Sequence, residues 1–168
     1  MTEKLNPVVS IHELALEPFA HGDHFESLDA GLSEQLGLTQ IGAAYCEVPP
    51  GKSACPFHVH HVEDEMFIIL EGNGVYRFGD SSYQIKPGDV LGAPRGGPEF
   101  AHKITNTGNT PLKYLAISSK ADTEVCEYPD SGKFLVSSRR SLGRRNSLRF
   151  IGRLADSTDY WEGENSAD

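Results

Sequence analysis

Between residues 40 and 127 the hydrophobic positions fall in short runs of aliphatic, aromatic and β-branched residues, interrupted by Gly or Pro at intervals of roughly a dozen residues. Runs of this length and composition predict strands over 40–48, 57–60, 66–71, 74–78, 82–85, 89–93, 100–106, 111–118 and 124–127. The breaks carry turn chemistry. Residues 71–74, Glu-Gly-Asn-Gly, tolerate positive φ and predict a tight hairpin. Lys86-Pro87-Gly88-Asp89 has the Pro and Gly placement of a type II turn, and Gly108-Asn109-Thr110-Pro111 is a further turn signal. The sum is an all-β sandwich or barrel, and since no motif occurs twice, a single one.

The flanks read differently. Residues 1–38 are expected to form an N-terminal arm, in which 33–38 is too short for a helix of any length, and 39–130 form the barrel. From residue 131 to 168 the strand pattern fades into a C-terminal arm. Residues 131–155 hold seven of the fifteen Lys and Arg and no acid, against a net charge of −9 for the whole chain. That overall charge disfavours nucleic acid or an anionic membrane as partner. The apolar residues interleaved with Arg139, Arg140, Arg144, Arg145, Arg149 and Arg153 suggest an arm laid on an apolar surface, with the acidic body as counter-charge. Three cysteines in no C-x-x-C spacing argue against a disulfide framework, and the N-terminus lacks the basic start and apolar stretch of a signal peptide. No apolar run approaches the roughly 20 residues that span a bilayer. A cytoplasmic setting is the expectation.

Candidate chemistry gathers in two blocks. The first is Gly51, His58, His60, Glu65 and Gly72, and the second is Gly88, Pro94, Gly96, His102 and Asn106. On a strand His58 and His60 share a face. Glu65 follows after a gap that fits a short turn, and His102 joins from a distant strand. Three imidazoles and one carboxylate suit a borderline first-row divalent ion such as Fe, Mn, Ni, Co or Zn. Glu63 and Asp64 compete with Glu65 for the carboxylate position, but only Glu65 keeps the six-residue gap to Gly72. His61 points the other way on strand parity, and His21 and His24 sit in a loop-like context.

These two blocks resemble the two signature motifs of the cupin superfamily, the double-stranded β-helix or jelly-roll barrels. Two gaps, Gly51 to His58 and Gly96 to His102, are longer here than in the family's usual form, and both fall in loops. The resemblance implies His58, His60, Glu65 and His102 as metal ligands, no further cofactor, and a homodimer. It is nearest to bacterial single-domain cupins, some of them labelled as sugar-phosphate isomerases; shared features include Gly37-Leu38-Thr39-Gln40, Glu63-Asp64-Glu65 and Tyr128-Pro129-Asp130.

Three functions stay open on this reading. One is a metal-dependent isomerase acting on a small hydroxy-carbonyl molecule, another is a non-haem metal dioxygenase, and the third is a small-molecule binding module without turnover. Glu99, in the longer loop beside His102, is the acid nominated as general base. Lys52, Arg77, Arg95 and Lys103 are the cations available to a substrate anion. Alternation also turns Phe67, Ile69, Phe100 and Ile104 inward, either as the apolar wall of a cavity or as the filling of the barrel.

Overall fold

The computed structural model describes residues 5–138 and 148–164. Strands dominate: β1 (Glu17–His21), β2 (Phe25–Gly31), β3 (Ile41–Val48), β4 (Val59–His60), β5 (Glu65–Glu71), β6 (Gly74–Phe78), β7 (Ser81–Ile85), β8 (Val90–Ala93), β9 (His102–Asn106), β10 (Leu112–Ser119), β11 (Thr123–Tyr128), β12 (Lys133–Ser138) and β13 (Leu148–Gly152). They form a six-stranded sheet in the order β1-β2-β3-β10-β5-β8, a three-stranded sheet β7-β6-β9 and a four-stranded sheet β13-β12-β11-β4. All named pairings are antiparallel. A bridge between His58 and His102 stitches the two smaller sheets together, so they act as one layer facing the six-stranded sheet. Among the described residues no helix is long and apolar enough to cross a membrane.

The main core lies between these layers. Cys46 and Val48 of β3, Phe67 and Ile69 of β5, Tyr76 of β6, Ile104 of β9, and Leu112 and Tyr114 of β10 meet there, with Ile85, Leu91 and Ala93 closing one side. Burying a large apolar side chain contributes about 1.5–3 kcal/mol, so this cluster is the main source of the fold's stability. Phe67, Ile69 and Ile104 thus fill the barrel, while Phe100 packs with Phe57, Val59 and Ala101 in a second, smaller cluster. Tyr76 keeps its hydroxyl satisfied by donating to the Gly92 carbonyl at 2.8 Å.

Several sequence expectations need correction. Residues 71–74 make no hairpin: β5 and β6 belong to different sheets, and Gly72 (φ 81°) carries the chain from one to the other. The tight two-residue hairpin lies instead between β6 and β7, at Gly79-Asp80, where Phe78 pairs with Ser81. The region expected as a strand from residue 100 begins as a 3-10 turn, Pro98–Phe100, and becomes extended only at His102. Both flanks contain strands. β1 and β2 extend the six-stranded sheet, and β12 and β13 extend the four-stranded one. Arg139, Arg140, Arg144 and Arg145 lie outside the described residues. Leu148, Phe150 and Ile151 remain 40–49% exposed, and Phe150 meets Phe134 of β12 with ring centroids 6.0 Å apart.

Candidate metal centre

His58 and His102 face each other across the bridge that joins the two smaller sheets. Each backbone N–H donates to the other's carbonyl, at 3.1 and 2.7 Å, which places the two side chains on one face with ring centroids 4.5 Å apart. His60 lies two residues further along, on the same side of β4, its ring 5.1 Å from that of His58. Glu65 opens β5 on the opposite layer and reaches across. Its Oε2 lies 3.0 Å from His102 Nε2, 3.4 Å from His60 Nε2 and 3.6 Å from His58 Nε2. Three imidazoles from two sheets therefore converge on one carboxylate oxygen from a third.

The second ring nitrogens explain why the Nε2 atoms point inward. His58 Nδ1 lies 2.9 Å from the Pro56 carbonyl, and His102 Nδ1 lies 3.4 Å from that of Phe100. Partners of this kind fix ring orientation and leave the far nitrogen to a ligand. His60 Nδ1 is buried without a hydrogen-bond partner, 3.9 Å from Glu124 Oε1. The donor set of three Nε2 atoms and one carboxylate fits a divalent transition ion. His60 also belongs to a second group, with Glu63 and Glu124, whose ligand atoms lie within 4.8 Å of one another.

The electrostatics follow from crowding a carboxylate among imidazoles. Burial on its own would raise the Glu65 carboxyl, but hydrogen bonds from His102 and His58 and the charge of His60 hold it well below the usual carboxylate range. Burial would lower His58, yet its bonds to Cys55 and Glu65 carry it up to about 11. At His60 burial outweighs the charges of Glu65 and Glu124 and lowers the imidazole below the ordinary histidine value.

Beside these residues lies a cavity of about 230 Å³, walled by Cys55, Pro56, His58, His60, Glu63, Ala121, Glu124, Cys126, Tyr128, Leu135 and Ser137. Its far wall is built by β11 and β12. Glu124 pins the loop before β5, accepting the N–H groups of His61, Val62 and Glu63 at 2.9, 3.2 and 2.8 Å. Glu63 accepts the Ala121 N–H at 2.6 Å. The Tyr128 ring lies roughly parallel to that of His58, 6.3 Å away, and burial pushes its hydroxyl up.

The other nominated residues stand apart from this cavity. Glu99 is exposed on the 3-10 turn, its carboxylate against Gly97, and does not join the cavity wall. Asp64 accepts the Arg95 N–H at 2.9 Å, and His61 pairs with Glu127 at 3.0 Å on the outside. Of the four nominated cations, Arg77 pairs with Asp130 and covers the Phe57 ring, Lys52 donates to the Asp23 carbonyl, and Arg95 reaches the Val62 carbonyl. None of these, nor Lys103, lines the cavity. Cys126, Tyr128, Leu135 and Ser137 escape a motif-based reading because only the pairing of β11 with β4 and β12 brings them to the histidines.

Residues 44–118 match the family model of the cupin domain. A candidate sugar phosphate isomerase from Acidithiobacillus ferrooxidans shares 27% identity and superposes with a TM-score of 0.74, covering 90% of this chain and 95% of its own. A predicted oxalate decarboxylase from Thermotoga maritima shares 33% identity and a TM-score of 0.59, covering 68% of this chain and 99% of its own. An oxalate-binding protein of the same organism is 40% identical over 74 residues, 44% of this chain and 58% of that protein. A barrel of this topology, the two motifs meeting at one centre and these likenesses together place the chain in the cupin superfamily, to which it belongs.

Proposed function

We propose that this protein is a metal-dependent cupin that binds a small oxygen-bearing organic molecule and acts on it as an isomerase of hydroxy-carbonyl compounds. The observation that carries this reading is the convergence of His58, His60 and His102 Nε2 on Glu65 Oε2, with His58 and His60 also forming part of the cavity wall. Held by these four residues, a divalent ion supplies Lewis-acid polarisation of ligand oxygens. The chain supplies the rest. Pro56 and Leu135 exclude water, the hydroxyls of Tyr128 and Ser137 orient the ligand, and the carboxylates Glu63 and Glu124 stand where a proton can be taken up and returned. Isomerisation of this kind takes a proton from the hydroxyl-bearing carbon and returns one to the neighbouring carbonyl carbon, with no outside oxidant. In this proposal the proton-carrying role falls to the cavity carboxylates, and Glu99, outside the wall, takes no part.

Binding without turnover is the second reading, favoured by the likeness to an oxalate-binding protein. One experiment separates the two. Metal is measured by mass spectrometry in untagged protein and in a His58→Ala/His102→Ala variant. The loaded protein is then incubated with hydroxy-aldehydes and hydroxy-ketones in deuterated water. An isomerase incorporates solvent deuterium into the carbon skeleton only when loaded, and the variant does not. Thermal stabilisation by a ligand that is recovered without deuterium assigns the binding role. A parent protein that retains no metal after loading sinks both forms of the metal reading.

A further inference from the structure

Two of the three histidines of the centre orient their rings in the same way. His58 Nδ1 lies 2.9 Å from the carbonyl of Pro56 and His102 Nδ1 3.4 Å from that of Phe100, in each case two residues earlier in the chain. For His60 the residue two earlier is His58. Its carbonyl already accepts the His102 N–H at 2.7 Å, in the bridge that joins the two smaller sheets. His60 Nδ1 is accordingly buried with no hydrogen-bond partner. When Nε2 of a neutral imidazole is the ligating nitrogen, Nδ1 carries the proton, and a buried donor left unpaired costs about 1–3 kcal/mol. An acceptor stands close by, Glu124 Oε1 at 3.9 Å. Drawing the ring into the range of an N–H···O bond takes a movement of about 1 Å.

The same carboxylate governs the segment that follows His60. β4 is two residues long and pairs with β11 through Val59 and His60. The His61 N–H still reaches the Val125 carbonyl at 2.9 Å, and there the Glu124 side chain takes over from the partner strand. From a position only 6% exposed it accepts the N–H groups of His61, Val62 and Glu63 at 2.9, 3.2 and 2.8 Å. The next N–H, of Asp64, donates to Ser119 Oγ at 2.9 Å. A carboxylate offers about four acceptor sites. Three go to the segment between His60 and Glu65, and one is left on the side of the His60 ring. Glu124 thus acts on two ligands at once, and it lies outside the residues 44–118 that match the cupin model.

We propose that Glu124 is the positioning residue of the centre. It accepts a hydrogen bond from His60 Nδ1–H while holding residues 61–63, and so sets from β11 both the direction of the His60 ring and the approach of Glu65. The inference rests on the reading of His58, His60, Glu65 and His102 as a metal centre. A carboxylate bonded to a ligating imidazole fixes its tautomer and strengthens it as a donor, and loss of such a partner typically weakens metal binding by about 10–100-fold. Of the two carboxylates offered above for proton carriage, Glu124 is thereby occupied, and the role narrows to Glu63.

The test uses the full chain loaded with Zn(II), which is diamagnetic, and reads two quantities. The Zn dissociation constant is measured by competition with a chromophoric chelator, and the imidazole N–H protons are followed by NMR. Glu124→Ala, Glu124→Gln and Ser119→Ala are compared with the parent; the last frees the Asp64 N–H of the same segment without touching His60. Glu124→Ala is expected to weaken Zn binding by about 10–100-fold, and Glu124→Gln, whose amide oxygen still accepts, by less. In both, one imidazole N–H signal shifts or is lost, while Ser119→Ala leaves signals and affinity as they are. The near-isosteric Glu124→Gln keeps the question decidable if the Ala variant does not fold. Unchanged affinity in the Glu124 variants overturns the inference, and so does a fall in affinity with every imidazole signal in place, which makes Glu124 a loop anchor alone. A second Zn per chain that Glu124→Gln removes also overturns it, because Nδ1 is then a ligand beside Glu63 and Glu124. Insensitivity to Glu124 in a parent that binds one Zn sinks this inference and spares the function proposed above. A parent that binds no Zn sinks both.

Discussion

Glu65 decides the character of the centre because it is the single carboxylate that three imidazoles share. In metal-free protein its oxygen is held by His102 and His58, which depresses the carboxyl, while His58 is raised to about 11 by its bonds to Cys55 and to Glu65. The signs fix a pH window. Glu65, depressed from its ordinary 4.5, adds stability above that value and loses it as the pH falls further. His58, raised from 6.5, adds stability in full below 6.5 and loses it as the pH climbs toward 11. Chelated protein is therefore expected to gain most from this pair between about pH 4.5 and 6.5, and Glu65→Gln to flatten the profile. Thermal melts of chelated parent and variant across pH 3 to 10 measure it; parallel profiles would show that the pair contributes nothing. Residue types and spacing alone make the convergence of these four side chains legible in the sequence, while Glu63, passed over there in favour of Glu65, stands in a second group with His60 and Glu124. The hydrogen bonds that orient the rings are not legible there, because Pro56 and Phe100 contribute only their backbone carbonyls.

At the scale of elements, the two motifs prove to be one interlocked object. The Gly51 N–H donates to the Asn106 carbonyl at 2.9 Å, His58 and His102 exchange a bonded pair, and the Gly96 N–H donates to the His60 carbonyl at 2.9 Å. Asn106 closes the arrangement from a fully buried position. Its Nδ2 donates to the carbonyls of Val48 and Thr110 at 2.7 and 2.8 Å, and its Oδ1 accepts the Gly108 N–H at 2.9 Å. One amide thus ties the end of β3, the end of β9 and the turn into β10. Asn106→Ala strands those backbone partners away from water, and at 1–3 kcal/mol for an unsatisfied buried group the total cost is expected near 3 kcal/mol. Urea unfolding measures it, and a loss under 1 kcal/mol would mean that water or a shifted turn replaces the amide. The flanking strands are hidden from the sequence for a physical reason. β2 buries Ser27 and Ala30, polar and small, so its inward face shows no hydrophobic alternation. β1 is exposed throughout and carries Pro18, the marks of an edge. β12 is half-buried along most of its length and β13 largely exposed, so neither offers an alternation of hydrophobic and polar positions to be read from the sequence.

For the molecule as a whole, the centre is a further cross-link between layers already joined by packing and by hydrogen bonds such as those of Asn106 to Val48 and Tyr76 to Gly92. His58 and His60 come from β4 and the residue before it, His102 from β9 and Glu65 from β5, so an ion held by all four ties both layers at one point. Any species that binds only the folded form stabilises it by mass action, by about 2.7 kcal/mol at 100 times its Kd. For a chain of this size about 2–4 °C accompanies each kcal/mol. Loading with Zn, Mn or Fe(II) is therefore expected to raise the Tm by roughly 5–10 °C, reversibly on chelation. His102→Ala is the informative control, because His102 belongs to the convergent set and not to the neighbouring group of His60, Glu63 and Glu124. Loss of the shift in that variant assigns the stabilisation to the four-residue centre. A shift of undiminished size would place the ion at the neighbouring group instead, in contact with the carboxylates that hold the loop before β5, and the two motifs would then be joined by hydrogen bonds alone.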